Sequence, residues 1–426
     1  MTVIPNRALS TPIQLLYAVV VAVLIPACAL PDSAMQNDAG ASRLNQGNDA
    51  LDALGGSSVR RAESSGNRPL YNGAASMNVP TSSSSINDIA CLFAGMDGGG
   101  AANVRGSSAW AGHQQRMNRL WATHLSLHRE PLMSWAGAEI GDVQAANTLF
   151  YPFSGPDFLF ASAICPGAET YVLCGLESAE PLPRLGDLSQ TEIESGLNGL
   201  HNSVSTIMTS SYFITTEMKS DLVATRFRGV LPVILAFMAR TGHWVDSVDT
   251  VRLDSAGNVT LAGSSGNTGL MIRCHSGVGR PKRVFYFRQD LSNGGGSGPL
   301  LSYVSRMGRV PAFTKSASYL MHDGGFSSIR DFMLRHSSVI VQDPSGVPYR
   351  EFARQGWDLW LYGNHRGTLS LFPNGQQPDL TAAYSSGRHP VKPLGFGIGY
   401  LMNPPITCLM VGRPRRGLDS TPAMSH

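Results

Sequence analysis

Charge is scarce in this chain. Asp, Glu, Lys and Arg make up 15% of the 426 residues, against roughly a quarter in an average soluble domain. The formal net charge is +3, and no long Lys/Arg run occurs. The basic cluster Gly412–Arg416 lies near the end of the chain. A nucleic-acid partner is therefore not expected. Several chemical signatures are also missing. There is no CxxC and no Cys/His spacing of the kind that binds zinc. There is no GxSxG elbow. Gly395, Gly397 and Gly399 alternate, but not at the spacing of a dinucleotide fingerprint. No metal is expected, and no cofactor is named by the sequence.

The chain does contain an export signal. Arg7 precedes an apolar run from about Ile13 to Ile25, which is shorter than the roughly 20 residues of a spanning helix. Ile25-Pro26-Ala27-Cys28 follows and resembles a bacterial lipobox. Residues 1–28 thus read as a lipoprotein-like signal, with Cys28 as the lipidated residue and the membrane as a partner through that anchor. Residues 29–85 are rich in Ser, Gly and Asn and nearly free of aromatics. Such a composition cannot offset the entropy of ordering, so a tether is expected. Five cysteines remain besides Cys28. Cys165 and Cys174 flank one loop and strand, and they are either a disulfide or two buried thiols.

Residues 86–412 read as one α/β domain, with 413–426 as a tail. Apolar spacings of three, four and seven predict helix from Trp110 to Trp135. His124 and His128 share a face there, but Leu125 stands where a HExxH motif needs Glu. Next comes the stretch around which the domain is organised. Thr148–Phe153 is a continuous apolar strand, Ser154-Gly155-Pro156-Asp157 breaks it, and Phe158–Ile164 is a helix that Ser154 is placed to cap. Thr170–Leu176 is a second strand, ended by Glu177. The pattern is a βαβ unit, and the fold class expected is α/β: a three-layer Rossmann-like mixed sheet behind a helical N-terminal lead-in. Its layout is similar to the first half of a Rossmann-like methyltransferase domain.

Further elements follow in order. Helices are expected over 188–221, with a break at Ser210–Phe213 before it resumes at Thr216, and over 230–238, 299–307, 326–336 and 380–384. A meander is expected over 247–253, 268–274 and 283–287. Phe313–Leu320 reads as a polar strand or turn. Strands are expected over 339–342 and 357–362, with Phe396–Leu401 and Thr407–Met410 closing the sheet. Asp290–Asn293 beside a glycine run suits a cation, a phosphate or an ordinary turn.

Ligands in open α/β sheets bind beyond the C-terminal ends of the strands. Ser154, Asp157, Glu177, Lys315 and Arg350 fall there and are the candidate ligand-binding residues. Ser318, His322 and Asp343 are candidates for a catalytic Ser/His/Asp set, which geometry must define. Two functions follow from the same residues. One is a non-catalytic envelope protein that binds a small polar ligand or partner. The other is an envelope hydrolase.

As a set, YPFSGPDFLFA (151–161), YVLCGLE (171–177), KSASYLMH (315–322), QDPSGVPYREF (342–352), LFPNGQQPDL (371–380) and PLGFGIGY (393–400) resemble a family of bacterial exported proteins of unknown function. The resemblance spans about Cys91 to Met410. It implies a compartment and a domain extent, but no chemistry. It also implies a second acid where this chain has Pro344.

Overall fold

The computed structural model describes residues 85–212, 225–262, 269–277, 279–369, 372–387, 389–400, 402 and 406–415. Cys28, the signal, the tether and the continuation of the 188–221 helix beyond Tyr212 lie outside them. The protein is a mixed α/β structure with helices interleaved through an 11-stranded sheet, and helices precede that sheet in the chain.

Two of the leading helices start where the sequence supplies a cap. Helix α1 (Ile86–Phe93) opens on a capping box, with Ser85 Oγ accepting from Asp88 N at 3.1 Å. Helix α2 (Ser108–His124) is capped by Ser107, passes through a π-turn at Leu125–Arg129, and continues as α3 (Glu130–Glu139). The sheet then begins with β1 (Thr148–Tyr151), helix α4 (Phe158–Ile164) and β2 (Thr170–Gly175). Strands β1 and β2 are parallel, with Phe150 opposite Val172. Helix α5 (Gln190–Ser210) has its own capping box between Ser189 and Glu192 and stops at Ser211, which is left-handed at φ +64°. Helix α6 (Leu231–Arg240) is buried from Leu231 to Ala239 and carries Pro232 in its first turn, where proline costs no hydrogen bond.

The expected meander is present as β3 (His243–Leu253), β5 (Gly269–Ser276) and β6 (Lys282–Arg288), with the short β4 (Val259–Leu261) on its outer edge. Strand β6 then joins β2 in parallel. Helix α7 (Gly298–Ser305), strand β7 (Val310–Thr314), helix α8 (Ser327–His336) and strand β8 (Ser337–Gln342) follow. Helix α9 (Tyr349–Arg354), β9 (Trp357–Gly363), helix α10 (Pro378–Ser385), β10 (Val391–Lys392) and β11 (Cys408–Pro414) complete the described elements. Strand order is β10-β9-β11-β8-β7-β1-β2-β6-β5-β3-β4. The five strands β6-β2-β1-β7-β8 are parallel, and β11 runs antiparallel between β8 and β9.

Alternate residues of the buried strands feed two cores. Leu149, Tyr151, Tyr171 and Leu173 pack in one core with the side chains of α1 to α6. Phe150, Val172, Ala312 and Ile340 pack in the other with Leu300, Val304, Ile329, Phe332 and Phe352 from α7, α8 and α9. Strands buried on both faces read as continuous apolar runs, which is why β1 and β2 stand out in the sequence.

Three expectations are corrected, and the open choice for Cys165 and Cys174 is decided. Phe313–Leu320 is not one polar element: Val310–Thr314 is a fully buried strand and the polar residues after it form a loop. Residues 396–400 are not a strand, because Gly399 adopts φ +76° and brings the backbone against the Asp343 side chain, and Leu401 lies outside the described residues. The tail starts later than residue 413, since β11 runs to Pro414 and Arg413 binds the Asp142 carboxylate at 2.8 Å. Cys165 and Cys174 are both free thiols; Cys165 Sγ donates to Val143 O and Cys174 Sγ to Gln289 O. The apolar surroundings push the Cys165 thiol up to about 12.

Candidate polar site at the C-terminal ends of the strands

Strand order reverses direction between β1 and β7, because β2 and β6 extend one way from β1 and β7 and β8 the other. The loops that leave β1, β7 and β8 therefore meet above this point. They carry most of the polar residues that the sequence nominates.

The β1 loop turns sharply, with Phe153 at φ +59° and Gly155 at φ +50°. Asp157, not Ser154, caps helix α4: its Oδ1 accepts from Phe160 N at 3.0 Å. The extra turn carries Ser154 over the end of β2 instead. There Ser154 Oγ accepts from Cys174 N at 2.9 Å and donates to Cys174 O at 3.2 Å. Gly155 N also donates to Cys174 O, at 2.9 Å. Glu177 is buried against Tyr286, whose hydroxyl donates to its Oε2 at 3.2 Å.

Asp157 Oδ2 accepts from the Tyr151 hydroxyl at 2.9 Å and forms an ion pair with Lys315 Nζ at 2.9 Å. The side chains of Lys315 and Asp157 are 3% and 1% exposed, so this is a fully desolvated pair. The ammonium also donates to Ser211 O, at the end of α5, and lies 4.2 Å from the centre of the Phe160 ring.

Beyond Lys315 the backbone is strained. Ser316, Ser318 and Tyr319 have φ of +51°, +52° and +54°, a conformation that non-glycine residues seldom adopt and that is unusual for a ring as large as Tyr319. Three successive N–H groups of this loop point at acceptors. Ser316 N donates to Asp343 Oδ2 at 2.9 Å, Ala317 N to Ser345 Oγ at 2.7 Å and Ser318 N to the Tyr400 hydroxyl at 3.0 Å. Successive N–H groups of this kind can make an anion nest, and here the protein satisfies them with its own Asp343, Ser345 and Tyr400. Ser345 N and Ser345 Oγ donate to the other carboxylate oxygen of Asp343. Burial raises the Asp343 pKa above the usual carboxylate value, and these donors work against that rise.

Other segments complete the junction. Tyr400 donates to Ser316 O at 2.8 Å. Gly399 N donates to Ser211 Oγ at 3.1 Å. Gln377 Nε2 donates to Pro344 O at 2.9 Å, and Gln377 Oε1 accepts from Tyr349 N at 2.8 Å. Gly375 lies against the Tyr319 ring so closely that a Cβ would come within 2.6 Å of it. Five of the six sequence motifs thus meet at this junction; the YVLCGLE strand touches it through Ser154.

The candidate catalytic set is brought to one region but not wired as a relay. Ser318 is exposed, and its hydroxyl shares a 2.9 Å hydrogen bond with Tyr400. The His322 ring packs edge-on against Tyr319 at 5.2 Å, and its Nε2 has no hydrogen-bond partner among the described residues. Burial pushes the His322 pKa down to about 4, so the ring is neutral at pH 7. Among the described residues no hydrogen bond joins Ser318 to His322 or His322 to Asp343. Arg350 is exposed and pairs with Glu351 at 3.3 Å, and its charge helps to hold the His322 pKa down. His124 and His128 do share a face, with ring centres 5.5 Å apart, and His124 Nδ1 is bonded to Met208 O at 3.0 Å. Asp290 Oδ1 accepts from Ser292 N at 2.8 Å in a local turn.

Sequence reasoning did not nominate Tyr151, Ser211 or Tyr400. A tyrosine in an apolar strand reads as core, so Tyr151 gave no signal beyond its place beside the β1 turn. Tyr400 closes the PLGFGIGY motif, which was its one mark. A separate polar groove of about 460 Å³ runs along α5 past Glu194, Asn198, Asn202 and Thr225, and none of the nominated residues lines it.

Comparisons with protein-family models, with curated proteins and with solved structures give no match to this chain.

Proposed function

We propose that this is an exported, lipid-anchored envelope protein whose three-layer Rossmann-like domain binds a small polar ligand or envelope component at the C-terminal ends of its strands. The observation that carries this reading is the strained Ser316–Tyr319 loop. Each left-handed non-glycine residue costs about 1–3 kcal/mol, and strain of this kind gathers at ligand clamps and active sites. Here four side chains from three other segments hold the loop in place. Its position supports the same reading, because it leaves β7 beside the point where strand order reverses. Helical cores on both faces of the parallel strands support the three-layer description.

The buried residues Asp157, Lys315 and Asp343 shape the site rather than touch a ligand. The groups that face solvent are Ser318, part of His322 and the neighbouring segment 372–379. The compartment rests on the signal sequence and Cys28. None of the described helices is long and apolar enough to cross a membrane.

One other reading has an observation in its favour. The strand order places β2 and β6 on one side of β1 and β7 and β8 on the other, a switch point of the doubly wound kind that favours a Rossmann-like methyltransferase relative. The residues do not fit the adenosyl cofactor, however. The β1 loop is bonded onto the end of β2 through Ser154 and Gly155, and Glu177 is turned onto Tyr286.

A thermal-shift screen of polar ligands tests the proposal. A ligand at a hundred times its dissociation constant stabilises by about 2.7 kcal/mol. The expected hit is lost in Ser318→Ala and weakened in His322→Gln. A hit that survives both substitutions contradicts the placement of the site, and stabilisation by adenosylmethionine would favour the methyltransferase reading.

A further inference from the structure

This inference rests on the binding site just proposed and names its ligand class. Two loops form the exposed crest above β7 and β8. The Tyr319 ring of the first loop lies 5.2 Å from Phe372 of the second. Phe372 in turn is 4.8 Å from the half-buried Tyr400 ring. Exposed residues of these two loops include Ser318, Asn374 and Gln376. These residues offer one hydroxyl and two amides, and Phe372 and Tyr400 are partly exposed beside the buried Tyr319.

The anion nest beneath the crest is already taken. The N–H groups of Ser316, Ala317 and Ser318 are bonded to Asp343, Ser345 and Tyr400. A phosphate or carboxylate placed there would find no free donors and would approach the Asp343 carboxylate, which is 1% exposed. A neutral polyol meets neither obstacle. Hydroxyl and amide groups both donate and accept, as sugar hydroxyls do. Aromatic walls with a few placed polar groups are the usual lining of a ligand site. We propose that the ligand is a neutral saccharide lying across the crest, between Ser318 on one side and Asn374 and Gln376 on the other.

Isothermal titration of the full chain tests this. The probes are neutral cello-, malto- and chito-oligosaccharides, set beside an oligogalacturonate and ADP as charged probes. At least one neutral oligosaccharide is expected to bind. Its affinity is expected to fall about tenfold or more in Ser318→Ala, in Gln376→Ala and in Phe372→Ala. The first two positions are exposed, so unchanged far-UV dichroism and melting should show that these variants fold. If only a charged probe binds, and does so through the same residues, the saccharide inference fails while the binding site stands. If no probe binds, or binding ignores all three substitutions, both fail.

Discussion

Replacing Lys315 by Met removes the positive half of a desolvated ion pair while keeping most of its volume. Lys315 Nζ lies 2.9 Å from Asp157 Oδ2, and both side chains are at most 3% exposed. Removing one partner of a buried pair costs about 3–5 kcal/mol, mainly because the other charge is left uncompensated. Asp157 would keep the Tyr151 hydroxyl at 2.9 Å and Phe160 N at 3.0 Å. These two donors place the expected cost near the lower end, about 3 kcal/mol. Ser211 O loses its donor as well, which loosens the end of α5. Adding Asp157→Asn to Lys315→Met neutralises the orphaned charge and leaves an oxygen to cap α4. The double variant should therefore be more stable than the sum of the single effects predicts, by about 1–3 kcal/mol. Urea unfolding followed by fluorescence of the six tryptophans measures all four proteins. A cost below about 1 kcal/mol for Lys315→Met, or strict additivity in the cycle, would refute the claim that this pair is desolvated and coupled.

Three further outcomes follow from the geometry. Gly399→Ala should destabilise strongly, because φ is +76° and the new Cβ would overlap the Asp343 carboxylate; an alanine variant with an unchanged urea midpoint would contradict that packing. Asp343 has a folded pKa raised above 3.8, so on acidification it takes up its proton in the folded protein before the unfolded one. Its stabilising contribution is full below 3.8 and is lost as pH rises through the raised folded value, so wild type should gain stability relative to Asp343→Asn as pH falls through that window, and parallel stability–pH curves would contradict this. Thiol titration with an aromatic disulfide should leave Cys165, Cys174, Cys274 and Cys408 unreactive in the native protein, since all four are buried and burial raises their pKa. After unfolding, an unlipidated chain should show six thiols and one acylated at Cys28 should show five; fast native labelling of the buried four would contradict the packing.

What the sequence reveals here is local. The β1–α4–β2 unit stands out because strands covered on both faces are unbroken apolar runs, and Ser85, Ser107 and Ser189 mark helix starts by their own side chains. The candidate site was legible as a list of residues and not as an arrangement. Ser154 is the cap expected from the sequence, and the turn at Phe153 and Gly155 hands that role to Asp157. Lys315 reads as a ligand-binding candidate, yet it is buried because Asp157 arrives from 158 residues earlier in the chain. Asp343 and Ser318 look like members of one catalytic set, but Asp343 is spent on the backbone of the loop that presents Ser318. A nest made by left-handed serines and a tyrosine has no sequence signature, because those residues adopt that backbone only when distant segments impose it.

Hydrogen–deuterium exchange of the full chain, with and without a ligand that stabilises it, tests the central claim most directly. The account predicts ligand-dependent protection in peptides covering 315–323 and 372–379, with little change along α5. Protection confined to the groove past Glu194, Asn198 and Asn202 on α5, with the crest unchanged, would contradict it.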